Sequence, residues 1–421
     1  MPHDHAPEPT RRTVARSAVL ATTALLLAGG TVARAQPGRA QQAPTGGDVV
    51  PTLPAPTGPH RLGVTTLYLV DRSRRDPWEP AIPVREVMVT IFYPARTVRG
   101  FPVAPQMSRG AADTFTGFDP AVLHRELPMA GVNWAATATH AHTGAPAQPV
   151  RRPVLLYSPG GGDPRTMGTG LAEELASHGC VVVTIDHPGD AGEVEFPVEM
   201  EGRDGTVRPT VFRGNPRDNP QIFRTAMDTR ITDTRFVLDR LHDLAAGRNP
   251  DALGIALPEH LGRALDLRRV GIYGHSAGGT VAAQTLYEDR RFGAAINLEG
   301  YLDQAPEAPG RDGDLYPVAA HGVDRPLLLL GTDGFADRNG LKRSWSAMLA
   351  HRPGHTTHRQ LDHANHWVVT DYAAIAPQLQ SADLMTPTNR NQLIGTIPPS
   401  TSIPLIRRHV RSFFTHNLPP H

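Results

Sequence analysis

The chain has 421 residues, 39% hydrophobic and 20% charged, with 42 Lys and Arg against 41 Asp and Glu. A net charge of +1 with no basic block argues against a nucleic-acid binder and gives no reason to expect a strongly acidic substrate. Length alone would allow two or three domains, and 41 Pro with 40 Gly suit a loop-rich fold with long connections.

The first 35 residues read as an export signal. Thr10-Arg11-Arg12-Thr13-Val14 resembles a twin-arginine motif, although Val14 stands where an aromatic residue is usual. The apolar run Ala18 to Ala28 is shorter than the ~20 residues needed to span a bilayer, and Ala33-Arg34-Ala35 is a small-x-small cleavage site. Cleavage near Ala35 and a secreted, extracellular protein are the expectation, by the twin-arginine or the general secretory route. Residues 36–60, rich in Pro, Gly, Gln and Thr, read as a disordered leader.

From Arg61 to His421 the pattern predicts one domain. Leu62 to Val70 and Glu86 to Tyr93 alternate apolar and polar residues and predict antiparallel strands at a half-exposed sheet edge. Phe101 to Gln148 has few periodic signals, so loops with one short helix near Pro120–Leu127 are expected. Val154-Leu155-Leu156-Tyr157 is a wholly apolar strand, as a buried parallel sheet requires. Met167 to His178 predicts a helix stopped by Gly179, with Leu171, Leu175 and Ala176 on one face. Val181 to Ile185 is the next buried strand. The only cysteine, Cys180, opens that run and reads as a buried strand residue, with neither a disulfide nor a thiolate metal site. His187 to Asn219 is an insertion rich in charge, Gly and Pro, expected to drape over the active-site mouth as a lid or specificity loop. Ile222 to Leu244 predicts a long amphipathic helix. Ala294–Leu298, Pro326–Leu330 and Thr357–Leu361 predict three further strands, with a helix over Leu341–Leu349 and a closing helix over Ile403–Phe414. The alternation implies an α/β fold, a doubly wound and mostly parallel central sheet with a lid-like insertion. Ligands of such sheets bind at the carboxyl ends of the strands.

Between Ile222–Leu244 and Ala294–Leu298 lies the chemistry. The strand-like Arg269-Val270-Gly271-Ile272-Tyr273 runs into Gly274-His275-Ser276-Ala277-Gly278-Gly279, and a helix-compatible stretch comes next, from Thr280 to Leu286. Strand, G-x-S-x-G and helix together make the nucleophile elbow of α/β-hydrolases, which gives the doubly wound sheet the α/β-hydrolase fold. The turn is too tight for flanking side chains, so glycines sit two before and two after the serine. Ser276 is then held in a strained conformation with its Oγ exposed, and the Ala277 N–H opens the helix as a donor to an oxyanion. The bland alternative is a Gly/Ser loop that binds phosphate or nothing. A serine needs a base, and in this fold the chain order is Ser, acid, His. Among 20 histidines, His366 and His363 lie in the short polar loop after the last strand. His366 is preferred and His363 is the alternative base. For the acid, Glu299 and Asp333 each come after a strand, with Asp303 and Asp337 as outsiders. A carboxylate there is often only a helix cap, so both candidates stay open on pattern alone. Tyr157-Ser158-Pro159-Gly160-Gly161-Gly162-Asp163 is the loop expected to supply the second oxyanion donor, assigned to Gly161. No P-loop lysine comes after it.

Leu156-Tyr157-Ser158-Pro159-Gly160-Gly161-Gly162, Leu175-Ala176-Ser177-His178-Gly179, Ile185-Asp186-His187, Arg224 to Leu241, the elbow, Asp289 to Glu299 and Asp362 to Asp371 together resemble the platelet-activating-factor acetylhydrolase family, the plasma type and its bacterial relatives. The resemblance runs from about Leu62 to Tyr372 and implies a serine esterase for short or oxidised acyl chains, working without calcium or another cofactor. It also implies that the acid comes directly after the strand beyond the elbow helix, hence Glu299, where relatives carry Asp. Pro159 departs from the family, many of whose members have His there. A small-molecule ester or lipid is the expected substrate, with transient contact to a lipid surface and no nucleic-acid partner. A broad-specificity carboxylesterase, a lipase, a polyester hydrolase and, remotely, a non-catalytic hydrolase-fold binding protein are the competing readings.

Overall fold

A computed structural model describes residues 47–308, 310–351 and 355–419. The proposed export signal lies outside the described residues. Twelve strands are present among those described: β1 (Leu62–Asp71), β2 (Arg85–Pro94), β3 (Val103–Pro105), β4 (Ala138–Thr143), β5 (Arg152–Ser158), β6 (Val181–Ile185), β7 (Glu193–Glu195), β8 (Val207–Pro209), β9 (Leu265–His275), β10 (Phe292–Leu298), β11 (Leu327–Thr332) and β12 (Thr356–Leu361). The α-helices are α1 (Arg109–Phe118), α2 (Thr169–Ser177), α3 (Pro220–Ala245), α4 (Leu261–Ala264), α5 (Ala277–Glu288), α6 (Pro317–His321), α7 (Arg338–Leu349), α8 (Tyr372–Ser381), α9 (Pro387–Ile394) and α10 (Pro399–Asn417). Ten strands form one sheet in the order β12-β11-β10-β9-β5-β6-β2-β1-β4-β3, and β7 pairs with β8 alone. The six strands from β12 to β6 in that order are mutually parallel; β2 runs antiparallel to β6, and β1 antiparallel to β2.

The apolar strands of the parallel region are short and rich in aliphatic residues because both of their faces are covered. Alternate residues divide between two cores, as a period of two demands. Leu155, Tyr157, Val182, Tyr273, Ile296 and Leu328 pack with residues of α2, α8 and α10. Val154, Leu156, Val183, Ile272, Ala295 and Leu329 pack on the other face with residues of α3, α5 and α7. The doubly wound, mostly parallel sheet predicted from the alternation is therefore the observed one.

Four local expectations need correction. β1 and β2 pair antiparallel as expected, Leu62 opposite Pro94, but they are buried and not an edge, because β4 and β3 extend the sheet beyond them. The helix expected near Pro120–Leu127 is α1 instead, continued by one wide turn over Asp119–Leu123. Cys180 is only partly buried and precedes β6. Residues 47–60, read as part of a disordered leader, are packed on the domain. Leu53 is buried, the Thr57 hydroxyl donates to Glu174 at 2.7 Å, and the Arg407 guanidinium donates to the Pro54 and Ala55 carbonyls at 2.8 and 2.9 Å. Such single anchors, whose partners lie between 117 and 353 positions away, leave no local period to read.

Candidate active site

Every element that brings a candidate side chain to the site does so at the carboxyl end of a parallel strand. β9 ends at His275, and Ser276 comes next with φ 52° and ψ −119°, a backbone conformation costly to any residue with a Cβ. The neighbours make that turn possible. A Cβ on Gly274 would lie 2.1 Å from the Gly278 carbonyl oxygen, and one on Gly278 would lie 1.9 Å from the Ser158 carbonyl oxygen. The Ser276 N–H donates to the Leu298 carbonyl at 2.8 Å, tying the elbow to the end of β10. The Ser276 carbonyl accepts the first bonds of α5 from Gly279 and Thr280, leaving the Ala277 N–H at a position with no intrahelical partner.

One residue past β10, Glu299 also takes a positive φ of 61°. Asn297 braces this turn by accepting the Gly300 N–H at 2.5 Å and donating to the Gly300 carbonyl at 2.9 Å, and the Trp345 indole donates to the same carbonyl at 2.8 Å. The turn aims the buried Glu299 carboxylate at the loop after β12. Its Oε2 accepts from His366 Nδ1 at 2.8 Å. Its Oε1 accepts from the Thr332 hydroxyl at 2.7 Å and from the Thr332 N–H. Glu299 is thus the carboxylate brought to His366.

The other candidates are occupied elsewhere. Asp333 accepts the His363 and Ala364 N–H groups at 2.9 and 3.0 Å, organising the loop that carries His366. Asp303 is paired with Arg217 and Arg343, and Asp337 caps α7 by accepting the Gly340 N–H at 3.1 Å. His363 is exposed at a positive-φ position of 59°, while its carbonyl accepts from Thr396 and Ile397.

His366 is buried against the rings of His275, Phe335 and Trp367, whose centroids lie 4.5, 4.7 and 4.9 Å away. Burial, helped by the nearby His275, pushes its pKa below the usual 6.5 against the opposing pull of Glu299, so the ring is neutral at pH 7. Nδ1–H donating to Glu299 leaves Nε2 as the lone-pair nitrogen, the tautomer a general base needs.

Residues beyond those expected from the sequence complete the setting. His275, the variable residue of the elbow, donates from Nε2 to the His366 carbonyl at 3.0 Å. Behind it, Asp163 accepts from His124 Nε2 at 2.8 Å and lies 3.5 Å from His275 Nδ1. Burial would raise the Asp163 pKa, but hydrogen bonds and charge from the two rings outweigh it and hold the carboxyl well below the usual range. Gly161 is exposed beside the elbow, and a Cβ built on it would lie 3.6 Å from Ala277 Cβ. The insertion reaches the same place. The Gly192 N–H donates to the Gly162 carbonyl at 2.6 Å, and Pro216 lies 3.8 Å from that same Cβ position on Gly161. Much of the insertion is buried and carries the β7–β8 hairpin, so it is a wall beside the site more than a loose drape.

A sequence profile of the family described as "Platelet-activating factor acetylhydrolase, isoform II" matches residues 52–342. A probable 1-alkyl-2-acetylglycerophosphocholine esterase of Arthroderma benhamiae is 25% identical, covering 87% of this chain and 88% of that protein. The platelet-activating factor acetylhydrolase of Bos taurus is 29% identical over 40% of this chain and 38% of its own length. Among solved structures, the ferulic acid esterase from Streptomyces cinnamoneus superposes with a TM-score of 0.62 at 32% identity, covering 87% of this chain and 93% of the other.

Proposed function

The chain belongs to the platelet-activating factor acetylhydrolase isoform II family and is a carboxylic ester hydrolase, and from that premise we propose that it works through an acyl-enzyme on Ser276. The observation that carries the reading is the 2.8 Å bond from His366 Nδ1 to Glu299 beside the strained elbow. His366 Nε2 removes the Ser276 Oγ proton as Oγ bonds to the ester carbonyl carbon. The carbonyl π pair moves onto oxygen, where the Gly161 and Ala277 N–H groups receive it. Collapse of the tetrahedral adduct breaks the carbon–alkoxy bond, and the leaving alcohol takes the proton from His366. Water then attacks the acyl-serine with His366 again as base, releasing the carboxylic acid and restoring the Ser276 hydroxyl. Glu299 keeps the imidazole in its tautomer and stabilises the imidazolium formed in each half.

For substrate, short acyl esters are the first choice. They are supported by the activities for which the relatives are named and by the crowding of Phe335, Trp367 and Pro216 around the reacting groups. The 32% identical ferulic acid esterase and the aromatic wall of Phe335 and Trp367 favour a second reading, an aromatic acyl group. Export near Ala35 and action outside the cell, in passing contact with lipid surfaces, belong to the same proposal. The test is ester turnover by wild type and Ser276→Ala across acetyl, butyryl, octanoyl and feruloyl esters. Loss in Ser276→Ala with a maximum at acetyl or butyryl supports the first reading. A feruloyl maximum supports the second, and undiminished turnover in Ser276→Ala rejects both.

A further inference from the structure

An oxyanion donor works best if its N–H is already aimed before charge develops. The Gly160–Gly161 peptide is rigid and trans, so the Gly161 N–H points opposite to the Gly160 carbonyl. Whatever holds that carbonyl therefore aims that N–H. Glycines alone cannot supply this, because their backbone is the most permissive of any residue.

The Asp163 N–H donates to the Gly160 carbonyl from within the loop at 3.2 Å, and the side chain that holds it is Arg230, in the middle of α3 and fully buried at 0% exposure. Its Nη2 donates to the Gly160 carbonyl at 2.8 Å, and its Nη1 donates to the Pro159 carbonyl at 2.6 Å and to Ser158 Oγ at 3.3 Å. Nε and the second hydrogen of Nη2 donate to the two oxygens of Asp190, itself 1% exposed, at 2.6 and 2.5 Å. Asp190 Oδ1 in turn accepts the Gly162 N–H at 3.1 Å. One ion pair thus grips the loop on both sides of Gly161, two carbonyls before it and one N–H after it, and leaves Gly161 exposed beside Ala277. The grip is anchored further. Ser158 Oγ meets His187 Nε2 at 3.0 Å, His187 Nδ1 meets Asp233 at 3.1 Å, and Asp233 accepts from Arg85 at 2.7 Å.

We infer that Arg230 and Asp190 are positioning residues of the oxyanion hole, setting the direction of the Gly161 N–H without touching substrate. This role rests on the acyl-enzyme reading. Lysine keeps the charge facing Asp190 but lacks the planar fork, so it cannot hold two carbonyls and a bidentate carboxylate at once.

The test compares Arg230→Lys and Asp190→Asn with wild type on an ester and its thionoester, whose sulfur is larger and a poorer acceptor for a donor set for oxygen. Arg230→Lys should lower ester kcat about 10- to 100-fold with KM within about threefold, because misaiming a group by an ångström costs about that much. The ester-over-thionoester preference should fall about tenfold, since a loosened donor discriminates less. The acid limb of the pH profile should not move, because His366 is untouched. A structural ion pair would lower Tm and the concentration of active sites while leaving that preference unchanged, and this result overturns the inference. If Arg230→Lys does not fold, Asp190→Asn is read alone. It keeps an acceptor for Gly162 and loses the charge, and the same fall in preference is expected with a loss of about three- to tenfold in kcat. Ser276→Ala in the same assay separates the two failures. Turnover at the wild-type level there sinks the acyl-enzyme reading, whereas a dead Ser276→Ala beside an Arg230→Lys of unaltered preference sinks only the positioning role.

Discussion

Replacing Glu299 by Gln keeps the side-chain shape and removes one charge, and the surrounding hydrogen bonds dictate which way the new amide faces. The oxygen beside Thr332 receives two donors, the Thr332 N–H and its hydroxyl, the latter at 2.7 Å. A glutamine amide must therefore turn its carbonyl toward Thr332, since the reverse places an NH2 against a buried N–H donor and costs about 1–3 kcal/mol per unmade bond. Its NH2 then faces His366 Nδ1 across the 2.8 Å contact. Nδ1 must become the acceptor, the ring proton moves to Nε2, and the nitrogen that takes the serine proton in the proposed mechanism no longer can. Loss of the carboxylate also removes the charge that stabilises the imidazolium. Together these should lower kcat on the order of 10³- to 10⁴-fold, about 4–5.5 kcal/mol at ~1.36 kcal/mol per decade, with KM little changed. Steady-state p-nitrophenyl acetate hydrolysis with active-site titration measures it. A loss under about tenfold in a folded Glu299→Gln protein would refute the assignment and return Asp333 to contention.

Asp333→Asn should leave kcat within about threefold while lowering Tm, because its carboxylate holds the N–H groups of His363 and Ala364 and not the imidazole; a loss near that of Glu299→Gln would contradict this. His363→Gly should retain activity with equal or higher stability, since φ is 59° there, and thermal unfolding with an activity assay checks both. The pKa of His366 is lowered, so the active neutral ring persists to lower pH. The acid limb of kcat/KM should fall below pH 6.5, and a limb above 7 would contradict the burial argument. Burial would depress His124, but the Asp119 charge and the Asp163 bond outweigh it and hold its pKa up at about 9. With a folded pKa raised above the unfolded 6.5, its stabilisation is complete below 6.5 and is lost as pH rises through about 9. The slope is at most ~1.4 kcal/mol per pH unit, and it should flatten in urea titrations of His124→Gln.

How much of the site is legible in the sequence depends on whether the signal is local. The elbow is local: the glycines at 274 and 278 are forced by contacts within a few residues and with the adjoining strand, so the motif carries its own geometry. His366 can be found because it lies after the last strand in a short loop. His363, just before it in the same loop, satisfies the same pattern, and only its exposed position excludes it from the contact with Glu299. Glu299 is not decidable from pattern, because Asp333 also comes after a strand. Family resemblance points to it, and the positive φ braced by Asn297 explains how a carboxylate just past the strand reaches the imidazole. The supporting residues are harder still. The bonds from His124 to Asp163, Arg230 to Gly160 and Thr332 to Glu299 join residues 39, 70 and 33 positions apart, and no period or spacing marks such contacts.

In the proposed mechanism one hydroxyl carries the acyl group between substrate and water, which makes that hydroxyl the single point of covalent attack. Intact-mass analysis of protein treated with a fluorophosphonate, with peptide mapping of the product, tests this most directly. One adduct per chain, located on Ser276 and absent from folded Ser276→Ala, is the predicted result. An adduct on another residue, or an unlabelled folded protein that still hydrolyses esters, would contradict it.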